Sequence, residues 1–294
     1  MENVMGYLFF LLSKIAAVIK SIAVKNCGNI AKGAKNSVII NIIRAFGCVI
    51  VSFVVALFAG LEQLDTTGTV IAVFAGVCNG VSLFSWVLAV NNASICTVET
   101  FCMTGGVVLP LIVSPFIFAG ESVSIFQWTG SALLFVAMFC LTKSSGKRKL
   151  SFGTWVLLIT SGLANFGCVL TKKLFTEFSK GKTEVFQLYT FAFVLATLFI
   201  IFLFFPRKKA EDRPKFSSKV IMYIFVAIVM LYTFEYFATL SASYLDSAIY
   251  YPLSYIISMP LNFLTDTLVY KEKITLNNIV GIVLVTLSGV LINF

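Results

Sequence analysis

Ten runs of mostly apolar residues, each close to the ~20 needed to cross ~30 Å of hydrocarbon, divide this chain from one end to the other. They lie near residues 5–24, 36–60, 67–89, 94–119, 123–142, 152–173, 184–205, 219–240, 246–269 and 275–293. Charged residues make up 12% of the sequence and collect between the runs, whereas a soluble domain needs roughly 25% to face water. A soluble fold would have to hide all ten segments inside one chain of 294 residues. The sequence therefore reads as an all-α integral membrane protein with ten transmembrane helices. A β-barrel would show alternating segments of ~10 residues instead.

Other classes recede on residue usage. The chain has no histidine, which removes His-based proton relays, the usual catalytic triads and most metalloenzyme sites. Its seven cysteines lie mostly in apolar runs with no Cys-x-x-Cys spacing, so neither a disulfide framework nor a zinc site is expected. A membrane-embedded transferase would want clustered carboxylates at metal-binding spacing, and there are none. No catalytic residue, metal or cofactor is expected. The opening Met1-Glu2-Asn3 lacks a basic region and Lys14 interrupts the apolar run, so the first segment is expected to be retained as a span rather than removed.

The most basic connection near mid-chain, Lys143 to Lys149, divides the spans five and five. The halves correspond. Gly130 follows nine residues after Glu121, and Gly281 follows nine after Glu272. Pro110 and Pro260 precede those carboxylates by 11 and 12 residues, and Ala93-Ser94 and Ala242-Ser243 open the matching segments. The offset stays near 147–151 residues throughout. Residues 1–143 and 152–294 are thus expected to form two five-helix repeats joined by a basic loop at 144–151. Five is odd, so the second copy enters from the opposite side, as in many secondary transporters.

This pattern resembles the drug/metabolite transporter superfamily, and within it the ten-span EamA-like carriers. The resemblance covers nearly the whole chain and rests on the five-plus-five layout, the two Glu-to-Gly segments and the Pro-bearing fourth and ninth spans. It implies that spans 1, 3 and 4 and their partners 6, 8 and 9 line a cavity, with 5 and 10 at the periphery. The four-span multidrug branch uses a Glu in its first helix for cation and proton exchange. Here Lys14 stands in the first span, which argues against export of cationic compounds.

Charge bias gives an orientation. Connections 1–2, 5–6, 7–8 and 9–10 together hold 15 Lys/Arg, against four, Lys172, Lys173, Lys180 and Lys182, in the even-numbered connections. The positive-inside rule then places odd-numbered loops in the cytoplasm and both termini outside, in the plasma (inner) membrane. The net charge of +9 needs no nucleic acid to explain it.

Charges within spans are functional candidates, since each costs several kcal/mol unless it meets a partner or a wet cavity. Lys14 and Ser21 share a face on span 1, and Ser161, Asn165, Cys168 and Lys172 share one on span 6. On span 8, Tyr232, Glu235 and Tyr236 lie together. Their repeat partners are near Trp86 on span 3, which shares a face with Asn79 and Ser82. Glu99 opens span 4 beside Met103, Gly106 and Pro110. Span 9 offers Tyr251, Ser254 and Tyr255 on one face, broken by Pro252 and Pro260, whose kinks free carbonyls. Lys20 reads as snorkelling to an interface, Arg44 and Asp266 as interfacial or paired structural charges, and Glu121 and Glu272 as turn caps. The expected function is a secondary carrier of a small polar solute, an amino acid or another zwitterion or anion, by alternating access. Protons are one allowed coupling ion; facilitated exchange fits equally well. The alternative is a cationic compound exporter of the same superfamily, with a channel or scaffold subunit or a membrane-embedded transferase as remote alternatives, and the sequence does not choose between monomer and homodimer.

Overall fold

The computed structural model describes residues 2–30, 34–118, 124–143, 150–204, 217–245, 247–271 and 275–292. They form ten helices: α1 (Glu2–Ile30), α2 (Ala34–Ala59), α3 (Thr66–Val90), α4 (Ile95–Ile117), α5 (Ile125–Lys143), α6 (Phe152–Phe178), α7 (Thr183–Leu203), α8 (Ser218–Tyr244), α9 (Ser247–Leu268) and α10 (Leu276–Ile292). There is no strand among the described residues. Every helix falls on one of the apolar runs. The largest departures are at the C-terminal ends of α1, α6 and α8, which run on to Ile30, Phe178 and Tyr244. Glu121 and Glu272 lie outside the described residues.

Helix starts are set by local chemistry. Ser94, Ser151 and Ser217 accept a hydrogen bond from the backbone N–H three residues on, closing off a donor that the helix leaves orphaned. At α5, Ser124 and Gln127 satisfy each other's backbone N–H in a reciprocal capping box. α2 ends on Gly60 at φ +86°, a left-handed position that glycine adopts without strain.

The bundle turns its polarity inward. Phe46, Phe58, Phe74, Phe199 and Phe225 are exposed on the outside, while Lys14, Arg44, Lys172, Glu235 and Asp266 are buried. Such an exterior suits hydrocarbon and would aggregate in water. Seven helices, α1–α4 and α6–α8, are long and apolar enough to cross a membrane. Shorter apolar stretches occupy α5 (Ile125–Ala137) and α10 (Leu276–Leu291). α9 is more polar, burying Ser258, Asn262, Thr265 and Asp266 along one side. The chain is therefore an all-helical protein compatible with an integral membrane location.

Packing crosses between distant segments. α1 lies along α8, α3 along α6 and α7, α4 along α6 and α9, α2 along α7, and α5 along α10. Between helices in lipid, close backbone approach replaces the hydrophobic effect as the source of attraction, so small residues mark the crossings. The tightest is α4 on α6, where a methyl group added to Gly105 would collide with the Gly162 carbonyl. Gly105→Val should therefore lower the melting temperature of the detergent-purified protein by several degrees, an overpacking cost of about 1–3 kcal/mol. Gly153→Ala, whose methyl group would meet only the Ser151 hydroxyl at 3.9 Å, should leave it unchanged or raise it slightly.

Candidate functional site

Between α1, α2, α3, α4, α6, α8 and the start of α9 lies a cavity of two adjoining chambers. The larger, about 60 Å³, is walled by Lys14, Lys20, Arg44, Asn79, Ser82, Trp86, Glu99, Asn165, Phe234 and Glu235, among others. The smaller, about 30 Å³, shares Lys14, Asn165, Phe234 and Glu235 and adds Phe10, Cys168, Lys172 and Tyr250. At ~10–15 Å³ per water, the two hold only a few water molecules. Two apolar clusters contribute to their walls. One contains Phe10, Val107, Leu111, Leu245 and Tyr250; the other contains Val24, Val90, Val98, Phe101 and Leu158.

The polar walls are mostly supplied by interlocked side chains. Lys172 Nζ on α6 meets Glu235 Oε2 on α8 at 2.8 Å, with both side chains 5% exposed. The Trp86 indole N–H donates to Glu99 Oε1 at 3.0 Å. Asn165 Nδ2 donates to the Cys102 carbonyl at 2.7 Å, fixing its amide against α4. Arg44 is 1% exposed and donates from one guanidinium nitrogen to Asn41 Oδ1 at 2.7 Å; its Nε makes no hydrogen bond. Lys14 and Lys20 meet aromatic faces. Lys14 Nζ lies 4.8 Å from the Phe10 ring centre, and Lys20 Nζ lies 4.7 Å from that of Phe234 and 5.9 Å from that of Trp86.

Of the predicted site residues, the structure brings Lys14, Asn79, Trp86, Glu99, Asn165 and Glu235 to the cavity. Ser21, Ser161, Tyr232, Tyr236 and Tyr251 are not among the side chains walling either chamber. Ser161 donates to the Leu158 carbonyl and accepts from Cys102 at the α4–α6 seam. Tyr232 and Tyr236 stack on each other, and the Tyr236 hydroxyl donates to Glu184 on α7 at 2.8 Å. The side chains of Ser254 and Tyr255 lie outside the described residues.

Four charges take different places from those expected. Lys172 and Lys173, counted above with a connection, lie within α6 and are buried, because that helix continues to Phe178. Lys173 reaches the carbonyls of Ala242 and Leu245 at the C-terminal end of α8, where a cation completes the helix. Lys20 does not run out to an interface but lines the larger chamber. Arg44 lines it too, whereas Asp266 does form a structural pair, with Lys25 at 3.4 Å. Sequence spacing had put Lys172 on the same stripe as Asn165; the signal was present, and the charge alone argued for a loop.

A bundle that buries this many charges around one cavity, beneath an apolar exterior, is compatible with a polytopic helical membrane protein. No protein-family profile matches the chain, and no curated protein matches its sequence. Among solved structures 28 chains are similar. One, described only as "Crystal structure of protein", has a TM-score of 0.66 at 13% identity, over 99% of this chain and 97% of its own. That likeness is one of fold.

Removing one member of the Lys172–Glu235 pair leaves the other charge buried without a partner. Lys172→Ala or Glu235→Ala should each destabilise the protein by about 3–5 kcal/mol, read as a lower melting temperature. The double substitution Lys172→Met with Glu235→Leu should recover most of the loss. If the double variant melts below both single variants, the pair is not the unit argued for here.

Proposed function

We propose that this protein is a secondary carrier moving a small polar solute, zwitterionic or anionic, by alternating access between two inverted five-helix halves, residues 1–143 and 152–294, in ten transmembrane spans. The observation that carries the reading is the charged cavity itself, built from α1, α2, α3 and α4 of the first half and α6 and α8 of the second. A polar chamber inside an apolar-clad bundle is a place for a polar solute, and walls drawn from both halves let their relative motion open it.

The helix contacts support the duplication. Exchanging each helix for the one five later turns every contacting pair into another: α1 with α8 becomes α6 with α3, α1 with α9 becomes α6 with α4, and α2 with α8 becomes α7 with α3. Pairs α2 with α7, α4 with α9 and α5 with α10 map onto themselves. Both arrangements agree with the resemblance to EamA-like carriers of the drug/metabolite superfamily, and α5 and α10 pack together away from the cavity as that resemblance implies.

Matching gates follow. Phe10 on α1 and Tyr250 on α9 meet edge-to-face at 5.8 Å between ring centres. Phe101 on α4 and Trp155 on α6 meet the same way at 5.7 Å. Each pair joins the first helix of one half to the fourth of the other, and the halves being inverted, the pairs guard opposite entrances.

The orientation reading strengthens with Lys172 and Lys173 inside α6, since the even-numbered connections then keep only Lys180 and Lys182. Odd-numbered connections face the cytoplasm of an inner or plasma membrane, and no enzymatic step is needed. Epitope tags at either terminus should be labelled by antibody on intact cells; protected tags reject this orientation.

The transport test uses liposomes and three labelled probes: succinate, glycerol 3-phosphate and serine. Saturable uptake with counterflow is expected for at least one. In a cysteine-free background, Phe10→Cys with Tyr250→Cys should halt that flux when bridged and restore it on reduction. Flux that is linear in concentration, or that persists through the bridge, refutes the carrier mechanism.

A further inference from the structure

We infer that the solute held in this cavity carries two negative charges, as in a small dicarboxylate or a phosphate monoester, rather than the balanced charges of a zwitterion. The inference deepens the carrier reading and rests on it for the word solute, but the anion site stands on geometry alone.

The argument is a charge inventory. The cavity walls carry four cations, Lys14, Lys20, Arg44 and Lys172, and two carboxylates, Glu99 and Glu235. Lys172 and Glu235 cancel each other in direct contact at 2.8 Å. What remains is Lys14, Lys20 and Arg44 against Glu99, an excess of two positive charges. Glu99 accepts its hydrogen bond from neutral Trp86, and among the described residues no carboxylate lies in ion-pair contact with Lys14, Lys20 or Arg44.

Contact with an aromatic face returns only a small part of what burying an ammonium group costs. A doubly charged anion would close that deficit with charge-assisted hydrogen bonds from two ammonium groups and from the unpartnered Arg44 Nε. A zwitterion brings a third unpaired ammonium into a chamber already positive, with only Glu99 to receive it. Like charges there would repel at short range and in a low dielectric.

The cations also lie within reach of one small solute. Lys20 and Lys172 lie 4.7 and 4.8 Å from the centre of the same Phe234 ring, so their ammonium groups are at most about 9.5 Å apart. Lys14 borders both chambers. A solute with its charges at separate ends, or one compact dianion, can reach cations in each chamber. The small volume demands that the halves part to admit either.

The test is thermal unfolding of the detergent-purified protein at constant ionic strength, with succinate, glycerol 3-phosphate, inorganic phosphate, acetate, serine and putrescine added separately. A ligand that binds the folded state raises the melting temperature in a saturable way. We expect that response from succinate or from the phosphates, the ranking between them identifying which acid group is held. Serine and putrescine should give none, and acetate far less. Lys14→Met and Lys20→Gln should each weaken the response at least tenfold in apparent Kd. If one variant fails to fold, the other variant and the wild-type ranking decide. A serine or putrescine response without a dianion response overturns the inference and leaves the carrier reading intact. A dianion response that survives both substitutions overturns the assignment to this cavity. A response lost in the variants, with no counterflow of that anion in liposomes, leaves the anion site standing and defeats the carrier reading.

Discussion

A helical bundle with an apolar exterior must settle every charge that it buries, and the contact between Lys172 and Glu235 settles two at once. It ties α6 to α8 at the centre of the molecule, both side chains nearly inaccessible. In a medium of low dielectric the attraction is strong, and so is the penalty for either charge alone. The pair also determines what is left over. With Glu235 occupied, Lys14, Lys20 and Arg44 have no carboxylate beyond Glu99, and the cavity acquires its excess positive charge.

The helices that carry these charges are held in unequal ways. α4 and α6 cross backbone to backbone at Gly105 and Gly162, a contact that only small residues permit. α1 and α9 meet instead through side chains: Phe10 on Tyr250 toward one end, and Lys25 with Asp266 and Tyr270 toward the other. A seam of side chains can part with a few rotamer changes, whereas a backbone crossing resists separation. Lys173 adds to the same logic, since its bonds to the last carbonyls of α8 hold that helix end to α6.

The polar stripes of single helices were partly legible. Asn79, Ser82 and Trp86 share a face at helical spacing on α3, and all three line the cavity. Tyr232, Glu235 and Tyr236 were grouped by the same reasoning, yet only Glu235 turns to the cavity while the tyrosines pack toward α7. A helix face about three residues wide borders two different neighbours, and periodicity does not say where one ends. Lys20 shows the complementary error: closeness to a helix end suggests an interface, but α1 extends to Ile30 and leaves Lys20 well inside.

The number, position and character of the helices were determined by the sequence by itself. Apolar length and Ser, Gly and Pro punctuation are local properties, and backbone hydrogen bonding within each segment follows from them without reference to the rest of the chain. Lys14, Glu99 and Glu235 were likewise visible as residues too costly to leave in lipid, whereas Lys20 and Arg44 were read as interfacial or structural charges. Which of them meet, and which remain without a partner, was decided only in the tertiary structure. Lys172 and Glu235 stand on separate helices, and their contact depends on the rotation and depth at which α6 and α8 pack. Those two quantities arise from side-chain fit between distant segments, which no pattern along one segment encodes.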